Sequence, residues 1–275
     1  MAISLIEYFK SMVQRSLVLF GVKLVRVTRH TELVELIEKL QPIHPGIELI
    51  RIGPMRDGGY LVPNDLEGVV TCFSPGVDKV SGFELDCANL GMDIFMADAS
   101  VDGPAVSHPM FNFEKKFLGV DDGQSVISIN RWIIDSADLG DSEMILQMDI
   151  EGAEYEVLLD ADPKLLSRFR IILVEFHSLN ELMNEPFFKI ASTVFQKLLA
   201  SHKCVHLHPN NSAGCVDYNG LKIPKTMEFT FLRKDRIVHV KRYDQYPHEL
   251  DHRCVANKPE VTLPKCWWSE GAVLS

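Results

Sequence analysis

The sequence predicts an α/β fold in which a mostly parallel sheet is covered by helices on both faces. Two observations support this prediction. From residue 69 onward, short β-rich runs alternate with helical stretches, which is the pattern of βαβ units. The runs Met144–Met148 and Ile171–Val174 are also almost continuously apolar, as is typical of strands that are buried on both faces.

The composition limits the classes of function. The 275 residues are 46% hydrophobic and 24% charged, a globular mixture that is too apolar for a disordered chain. The net charge of −10 argues against a nucleic-acid partner, because such a protein needs clustered Lys and Arg to neutralise phosphates. None of the six cysteines forms a Cys-x-x-Cys pair, so we expect reduced thiols rather than a structural zinc site or a disulfide framework.

The sequence also predicts a cytoplasmic protein. No segment approaches the roughly 18 uninterrupted apolar residues of a membrane span. The N-terminus is apolar, but Glu7, Lys10 and Arg15 occur early in it and no small-residue cleavage site follows. A secretory signal is therefore not expected.

The predicted elements follow in chain order. Residues Ile3 to about Leu40 are predicted to be helical, with Thr31 as an N-cap within them. The predicted strands are Val69–Phe73, Asp93–Ala97, Met110–Leu118, Met144–Asp149, Arg170–Phe176, Cys204–His208 and Met227–Arg233. The predicted helices between them are Val80–Leu90, Asn130–Ala137, Glu151–Leu159 and Phe187–Ser201.

Three parts of the chain are distinguished: an N-terminal helical segment (residues 1–47), a central domain (48–235) and an irregular C-terminal tail packed on that domain (236–275). The first helix is predicted to pack on the domain or on another subunit. Contact with a membrane surface is the less favoured alternative, because the polar face of the helix is not consistently basic. We expect Trp267 and Trp268 to anchor the tail in the core, with stacking on a sugar as the alternative.

Polar residues follow the first two predicted strands. Ligands of open α/β sheets bind outside the carboxyl ends of the strands, so these positions are candidates for a binding site. The first strand leads into Ser74-Pro75-Gly76-Val77-Asp78, where a glycine lets backbone N–H groups approach a ligand. The second strand leads to Asp98, whose carboxylate could accept hydrogen bonds from both hydroxyls of an adenosine ribose. Capping of the next turn by Asp98 is an equally good interpretation.

The later strands bring carboxylates and imidazoles to the same edge. Asp149 follows one strand, Glu175 and His177 end the next, and His208 ends another. Acidic residues at the start of the helix after Asp149 are explained by the helix dipole, whereas Asp149 itself belongs to the strand end. Oxygen and imidazole ligands in this mixture suit Mg²⁺ or Mn²⁺, and we consider Asp149, Glu175 and His208 as candidate ligands.

These residues resemble a known family. The runs Met148–Glu154 and Val174–His177 are similar to the signature of the FkbM-type S-adenosylmethionine-dependent methyltransferases. The supporting stretches are Asp57–Tyr60, Phe73–Asp78, Phe83–Glu84, His206–Asn211 and Met227–Thr230. The resemblance covers about residues 48–235 and implies a Rossmann-like class I methyltransferase fold with an antiparallel strand at one edge. It further implies O-methylation of sugar hydroxyls in polysaccharides or natural products.

The resemblance implies a role for each matching residue. Gly76 and Asp78 would line the methionine end of the methyl donor and Asp98 would hold its ribose, with Tyr60 and Glu84 nearby. Asp149 would lie beside the transferred methyl group, either to take the proton of the acceptor hydroxyl or to hold a divalent ion. Glu175 and His177 would complete this catalytic group.

Two alternatives to this function remain at this point. The same carboxylates and imidazoles could form a metal-dependent hydrolase, which would leave Asp98 and the Asp57–Tyr60 segment unexplained. The chain could also be a non-catalytic interaction module, in which Asp149 and Glu175 could be lost without consequence. A homo-oligomer is compatible with either of them.

Overall fold

The computed structural model describes residues 5–22, 24–136 and 143–269. Ile3 and Ala137, at the ends of two predicted helices, lie outside these ranges. The α-helices of the described ranges are α1 (Leu5–Val18), α2 (His30–Leu40), α3 (Gly82–Asn89), α4 (Ile129–Ser136), α5 (Glu154–Asp160), α6 (Pro163–Leu166) and α7 (Glu185–Ser201). Short 3₁₀ helices lie at Leu179–Met183, Lys234–Arg236 and Lys265–Trp267.

The strands form one large sheet and several two-stranded ones. They are β1 (Ile43–His44), β2 (Leu49–Ile52), β3 (Tyr60–Pro63), β4 (Val69–Pro75), β5 (Asp93–Ala97), β6 (Phe111–Glu114), β7 (Phe117–Gly119), β8 (Val126–Ser128), β9 (Glu143–Met148), β10 (Phe169–Phe176), β11 (His202–Pro209), β12 (Cys215–Tyr218), β13 (Leu221–Pro224), β14 (Met227–Arg233) and β15 (Lys241–Arg242). The large sheet has the order β11-β14-β10-β9-β4-β5-β6.

The large sheet confirms the predicted fold class. Strands β10, β9, β4, β5 and β6 pair in parallel, and β14 is antiparallel to both of its neighbours near one edge. Successive residues of the central strands face two separate hydrophobic clusters: Leu146 and Ile172 belong to one, Ile145 and Ile171 to the other. Every residue of β10 is buried. The sheet is therefore covered on both faces, as the apolar runs predicted.

The predicted strand Met110–Leu118 is wrong as a single strand. β6 joins the large sheet, whereas β7 pairs with β8 in a separate sheet. The chain turns between them, where the Lys116 N–H donates to the Glu114 carbonyl at 2.8 Å. Lys115 and Lys116 form ion pairs with Asp102 and Glu114 at this turn. Adjacent lysines with such partners have to reach the surface, which is why the apolar pattern on either side does not continue as one strand.

The N-terminal helical prediction is correct in part. Helices α1 and α2 form, but residues 19–29 between them are not helical. Arg29 is the N-cap of α2 in place of the predicted Thr31, and the Glu32 carboxylate accepts a hydrogen bond from the Arg29 N–H at 3.3 Å. The extended backbone before the helix is held by the Thr28 N–H, which donates to the Met183 carbonyl at 2.9 Å.

The C-terminal segment packs on the domain through both tryptophans, and Trp268 is the partly buried one of the two. Trp267 is fully buried in a core cluster, and its indole N–H donates to the Lys222 carbonyl at 3.0 Å. Gln41 donates to the Cys266 carbonyl at 3.0 Å and so ties this segment to the end of α2. Among the described residues, no helix has the length and apolar character that crossing a bilayer requires.

Candidate active site

The candidate site lies where the strand order of the large sheet reverses. β4 and β9 are neighbours, and the chain proceeds from β4 toward β5 on one side and from β9 toward β10 on the other. Such a reversal opens a crevice at the carboxyl ends of the strands. Gly76 follows β4 there with φ of +83°, and an added Cβ would lie 1.5 Å from the backbone oxygen of Asp149. The two strand ends can approach this closely because residue 76 has no side chain.

A pocket of about 410 Å³ occupies this crevice. Its volume falls within the range of small-molecule sites. The five residues predicted to bind the methyl donor line it together with Asp149: they are Tyr60, Gly76, Asp78, Glu84 and Asp98. The sequence therefore identified residues from four separate segments that the fold brings to one cavity.

Asp98 is buried at the end of β5. Its two carboxylate oxygens accept hydrogen bonds from the backbone N–H groups of Asp78, at 3.0 Å, and Ser100, at 2.7 Å. The bond from Ser100 is the turn cap considered as an alternative above. The turn cap does not exclude the predicted contact with a ribose, because the carboxylate also borders the pocket and each of its oxygens can accept a further hydrogen bond.

Ser74 and Gln147, which sequence reasoning missed, connect Glu84 and Tyr60 beneath the pocket. Ser74 Oγ lies 2.5 Å from Glu84 Oε1 and 2.6 Å from Gln147 Oε1. Gln147 donates to the Tyr60 hydroxyl at 3.0 Å. Burial raises the pKa of Glu84, and the hydrogen bond from Ser74 partly opposes this shift. Gln147 lies within a strand and looks like a core position in the sequence, and Ser74 was noted only as part of the run after the first predicted strand, without a role of its own.

A second cavity of about 220 Å³ adjoins the first. The two share Asp57, Asp149 and Glu151. The remaining lining residues of the second cavity are Glu175, His177, Asn210, Ser212 and Thr226. Every side chain in this set is polar or charged, so the cavity suits a hydroxylated or cationic group rather than an apolar one.

His177 is held between two groups of carboxylates. Its Nδ1 lies 3.0 Å from Glu154 Oε1, while its Nε2 lies 4.0 Å from Asp149 Oδ1 and 3.9 Å from Glu175 Oε1. Glu151 Oε2 is 3.5 Å from the same Nε2. Glu154 is completely buried and orients the ring, so its position is explained by more than the helix dipole.

Proton affinities are strongly perturbed in this group. Burial raises the pKa of Asp149 to about 7, although the nearby His177 opposes the shift. Burial also raises the pKa of Glu175, and the charges of Asp149 and Glu228 add to the effect. Burial lowers the pKa of His177, but the hydrogen bond and charge of Glu154 outweigh this and the net shift is upward. Perturbed groups that share a cleft are typical of catalytic sites.

The structure groups the candidate metal ligands differently from the sequence prediction. Ligand atoms of Asp149, Glu151 and His177 lie within 4.8 Å of one another, and Oδ1 of Asp149 is buried without a hydrogen-bond partner. His208 lies instead with Glu228 and Cys254. An oxygen-rich set with one imidazole and an unpartnered buried oxygen fits Mg²⁺ or Mn²⁺.

The position of β14 explains why His208 is displaced. Glu228 pairs with Glu175 on one side and with His208 on the other, so a whole strand separates the two predicted ligands. His208 Nδ1 lies 3.3 Å from Glu228 Oε2, and its Nε2 lies 3.4 Å from Glu260 Oε1 in the C-terminal segment. The predicted set of Asp149, Glu175 and His208 is therefore replaced here by Asp149, Glu151 and His177.

The fold and the site together define a class: an α/β protein with a nucleoside-sized pocket at the switch point of its sheet and an acidic group beside it. Residues 88–200 match the family model described as the methyltransferase FkbM domain. This match confirms the resemblance noted in the sequence. Residues 88–200, less than half of the chain, are therefore similar to this methyltransferase domain.

Comparison with other proteins adds distant structural matches. No curated protein matches the chain significantly. A prophage-encoded E. coli protein described as a DNA modification methyltransferase is 13% identical with a TM-score of 0.38; the match covers 60% of this chain and 47% of that one. A variant of the 16S rRNA (adenine(1408)-N(1))-methyltransferase from Catenulisporales acidiphilia is 10% identical with a TM-score of 0.32, covering 68% and 98%.

A third match is magnesium protoporphyrin IX methyltransferase from Synechocystis PCC 6803 with bound SAH. It is 13% identical with a TM-score of 0.32, and the match covers 62% of this chain and 76% of that one. Likenesses this distant do not transfer a substrate to this chain.

Proposed function

We propose that this chain is an O-methyltransferase that acts on a sugar hydroxyl of a polysaccharide or natural-product glycan. One observation carries the proposal: the donor pocket and the polar second cavity meet at Asp149, whose Oδ1 is buried without a partner. A reacting hydroxyl in the second cavity would then adjoin a methyl donor in the first. Holding the two in this geometry accounts for much of the rate of such a displacement.

S-Adenosylmethionine supplies an electrophilic methyl group when it is bound. The residues of the first pocket hold and orient it. Asp98 accepts hydrogen bonds from the ribose hydroxyls, and the turn at Gly76 admits the methionine end. Asp78, Glu84 and Tyr60 line the remaining wall. These assignments are supported by the lining of the pocket and by the family resemblance.

Asp149 takes the proton of the acceptor hydroxyl. Its pKa of about 7 suits a general base, because the group is then ionised near neutral pH and still basic enough to accept a proton. Glu154 positions His177 through Nδ1, and His177 and Glu175 border the same cavity. Asn210 donates to Glu175 at 2.8 Å and fixes that carboxylate in place.

As the alternative to a general base, Asp149 would hold a divalent ion such as Mg²⁺ or Mn²⁺ together with Glu151 and His177, with Glu175 close by. Such an ion lowers the pKa of a bound hydroxyl. A metal-dependent hydrolase would use the same three residues, but it gives no role to the pocket beside Asp98.

The choice of a sugar over a nucleic acid rests on charge. The second cavity is lined by four carboxylates and the chain carries a net charge of −10. Phosphodiester backbones are disfavoured by such a surface. The proposal includes a cytoplasmic location, which the six free cysteines support because disulfides are rare in reducing compartments.

Calorimetric titration with S-adenosylhomocysteine tests the donor site. Asp98→Asn should weaken binding at least tenfold, whereas Asp93→Asn should leave it unchanged. Asp93 is the matched control because it lies at the exposed amino end of the same strand β5. Equal affinities in these two variants would contradict the assignment of Asp98.

Transfer of labelled methyl groups to a panel of glycans tests the reaction. The wild-type protein should label at least one of them, and Asp149→Asn should abolish labelling while it keeps the affinity for S-adenosylhomocysteine. Repeating the assay with a chelator and with added Mn²⁺ tests the metal. Full activity in the chelator would remove the ion from the proposal and leave methyl transfer intact.

A further inference from the structure

The N-terminal arm (residues 5–27) carries an unusually exposed apolar surface. Its described residues from 7 to 27 are exposed or half-buried and none is buried, so the domain does not cover α1 in the way that the prediction of packing on the domain or on another subunit requires. Of the 22 large hydrophobic side chains that are exposed in the described chain, ten belong to this arm: Tyr8, Phe9, Met12, Val18, Leu19, Phe20, Val22, Leu24, Val25 and Val27. So many exposed apolar side chains within one segment indicate a binding site rather than ordinary scatter.

The arm differs from the rest of the chain in charge. It has four basic residues, at positions 10, 15, 23 and 26, and Glu7 as its single acid, a net charge of +3. Since the whole chain is at −10, the remaining residues carry −13. A basic, apolar arm on an acidic protein is attracted to a surface that is both anionic and apolar.

Helix α1 is built as an interfacial helix. At about 100° per residue, Tyr8, Met12, Phe9, Val13 and Leu17 lie on one face with Ser16 among them, and the opposite side is polar except for Val18. Lys10 and Arg15 border the apolar face on its two sides. Basic residues at these borders reach the headgroups when the apolar face is immersed in the acyl region.

The arm is fixed to the domain at its far end. The Thr28 hydroxyl donates to the Leu182 carbonyl at 2.7 Å, and the Glu185 N–H donates to the Arg26 carbonyl at 2.9 Å. Arg26 also forms an ion pair with Glu185 at 3.2 Å. These contacts hold the arm to the segment that follows His177, at the same end of β10 as the candidate active site.

We propose that the N-terminal arm binds the surface of an anionic lipid bilayer, with α1 lying in the plane of the membrane. The 14-residue helix is too short to span a bilayer, so the binding is interfacial. Pairing of two arms in a dimer would bring together two segments that each carry a net charge of +3, whereas an anionic bilayer attracts both.

Co-sedimentation of the full chain with vesicles tests this proposal without reference to catalysis. Binding is expected to vesicles of phosphatidylcholine mixed with phosphatidylglycerol, to be weaker with phosphatidylcholine alone, and to fall as salt is added. Replacing both border residues, Lys10→Gln with Arg15→Gln, should weaken binding about 25-fold, since each basic residue near an anionic surface contributes about fivefold. The matched control changes Lys222 and Lys241, which are exposed outside the arm, to Gln and should bind like the wild type.

The apolar contribution is tested by Phe9→Glu, which should abolish binding to both kinds of vesicle. Val238→Glu is its control, because Val238 is 70% exposed outside the arm. Unchanged affinity for S-adenosylhomocysteine and unchanged Tm show that each variant is folded. Equal binding by the wild type and the Lys10/Arg15 variant overturns the proposal. It is also overturned by a concentration-dependent dimer, formed without lipid, that Phe9→Glu dissolves.

Discussion

Substitution of Gly76 by alanine tests whether the close approach of β4 and β9 builds the donor pocket. The backbone of Gly76 has φ of +83°, and the new Cβ would lie 1.5 Å from the Asp149 oxygen and 2.6 Å from its carbonyl carbon. Protein Cβ atoms essentially never approach another atom closer than 3.0 Å. The two strand ends must therefore separate by about 1.5 Å, and the hydrogen bond from the Asp149 N–H to the Pro75 carbonyl, 3.3 Å long, is lost.

The expected magnitude has three contributions. An L-residue at positive φ costs about 1–2 kcal/mol, the lost hydrogen bond about 1 kcal/mol, and the separation of packed strands adds to both. We expect Gly76→Ala to lower the free energy of unfolding by at least about 3 kcal/mol. Because about 1 kcal/mol corresponds to about 2–4 °C in a domain of this size, the Tm should fall by about 10 °C.

Gly91→Ala is the matched control. Gly91 also has positive φ, +91°, but nothing lies within 4 Å of an added Cβ. Its substitution carries the backbone cost alone, about 1–2 kcal/mol, and should leave donor binding intact. Differential scanning calorimetry and titration with S-adenosylhomocysteine measure both effects. If the two variants had the same Tm and the same affinity, our account of the strand junction would be refuted.

Three further predictions concern proton affinity and the core. Turnover of the wild type should rise as the pH increases through about 7, because Asp149 must be ionised to accept a proton. Asp149→Asn should lose this rise and about 10²–10⁴-fold in rate, as measured by a pH–rate profile in metal-free buffer. The same rise in the variant would exclude Asp149 as the base. Burial lowers the pKa of His202 from 6.5 to about 4. As the pH falls, His202 therefore takes up a proton in the unfolded chain before it does so in the folded protein. The free energy of unfolding should decrease by about 3 kcal/mol between pH 7 and pH 4. Urea unfolding across this range should show a smaller loss for His202→Gln, and parallel losses would contradict the assignment. Trp267→Ala should cost about 3–5 kcal/mol in urea unfolding, since the indole is fully buried, whereas Trp268→Ala, in a partly buried side chain, should cost less.

Much of the fold and part of the site could be predicted from local patterns. The apolar runs at β9 and β10 marked strands buried on both faces, because periodicity reflects burial directly. Gly76, Asp98 and Asp149 were predicted from their positions at the ends of strands, and in a parallel sheet such ends meet at one edge. This inference needs the direction of each strand but no knowledge of side-chain contacts.

Contacts between distant segments could not be predicted in this way. The helix dipole was an adequate local explanation for an acidic residue at position 154, at the start of α5. The contact of Glu154 with His177 depends instead on how α5 packs beside β10. Gln147 lies in a strand with the pattern of a core strand, Ser74 directly follows the predicted strand Val69–Phe73, and their partners are 10 to 87 residues away in the chain. A hydrogen bond between remote polar groups leaves no periodic signal.

The sequence by itself determined the α/β class, the strand ends that carry Asp98 and Asp149, and the apolar and basic character of the first 27 residues. Only the tertiary structure decided that β14 lies between β10 and β11, so that Glu228 separates His208 from Glu175 and His177 takes its place beside Asp149. It also decided that α1 is left uncovered. The physical reason is the same in each case. The periodicity of the sequence indicates whether a residue is buried, whereas the order of the strands and the packing of the helices determine which residues it contacts.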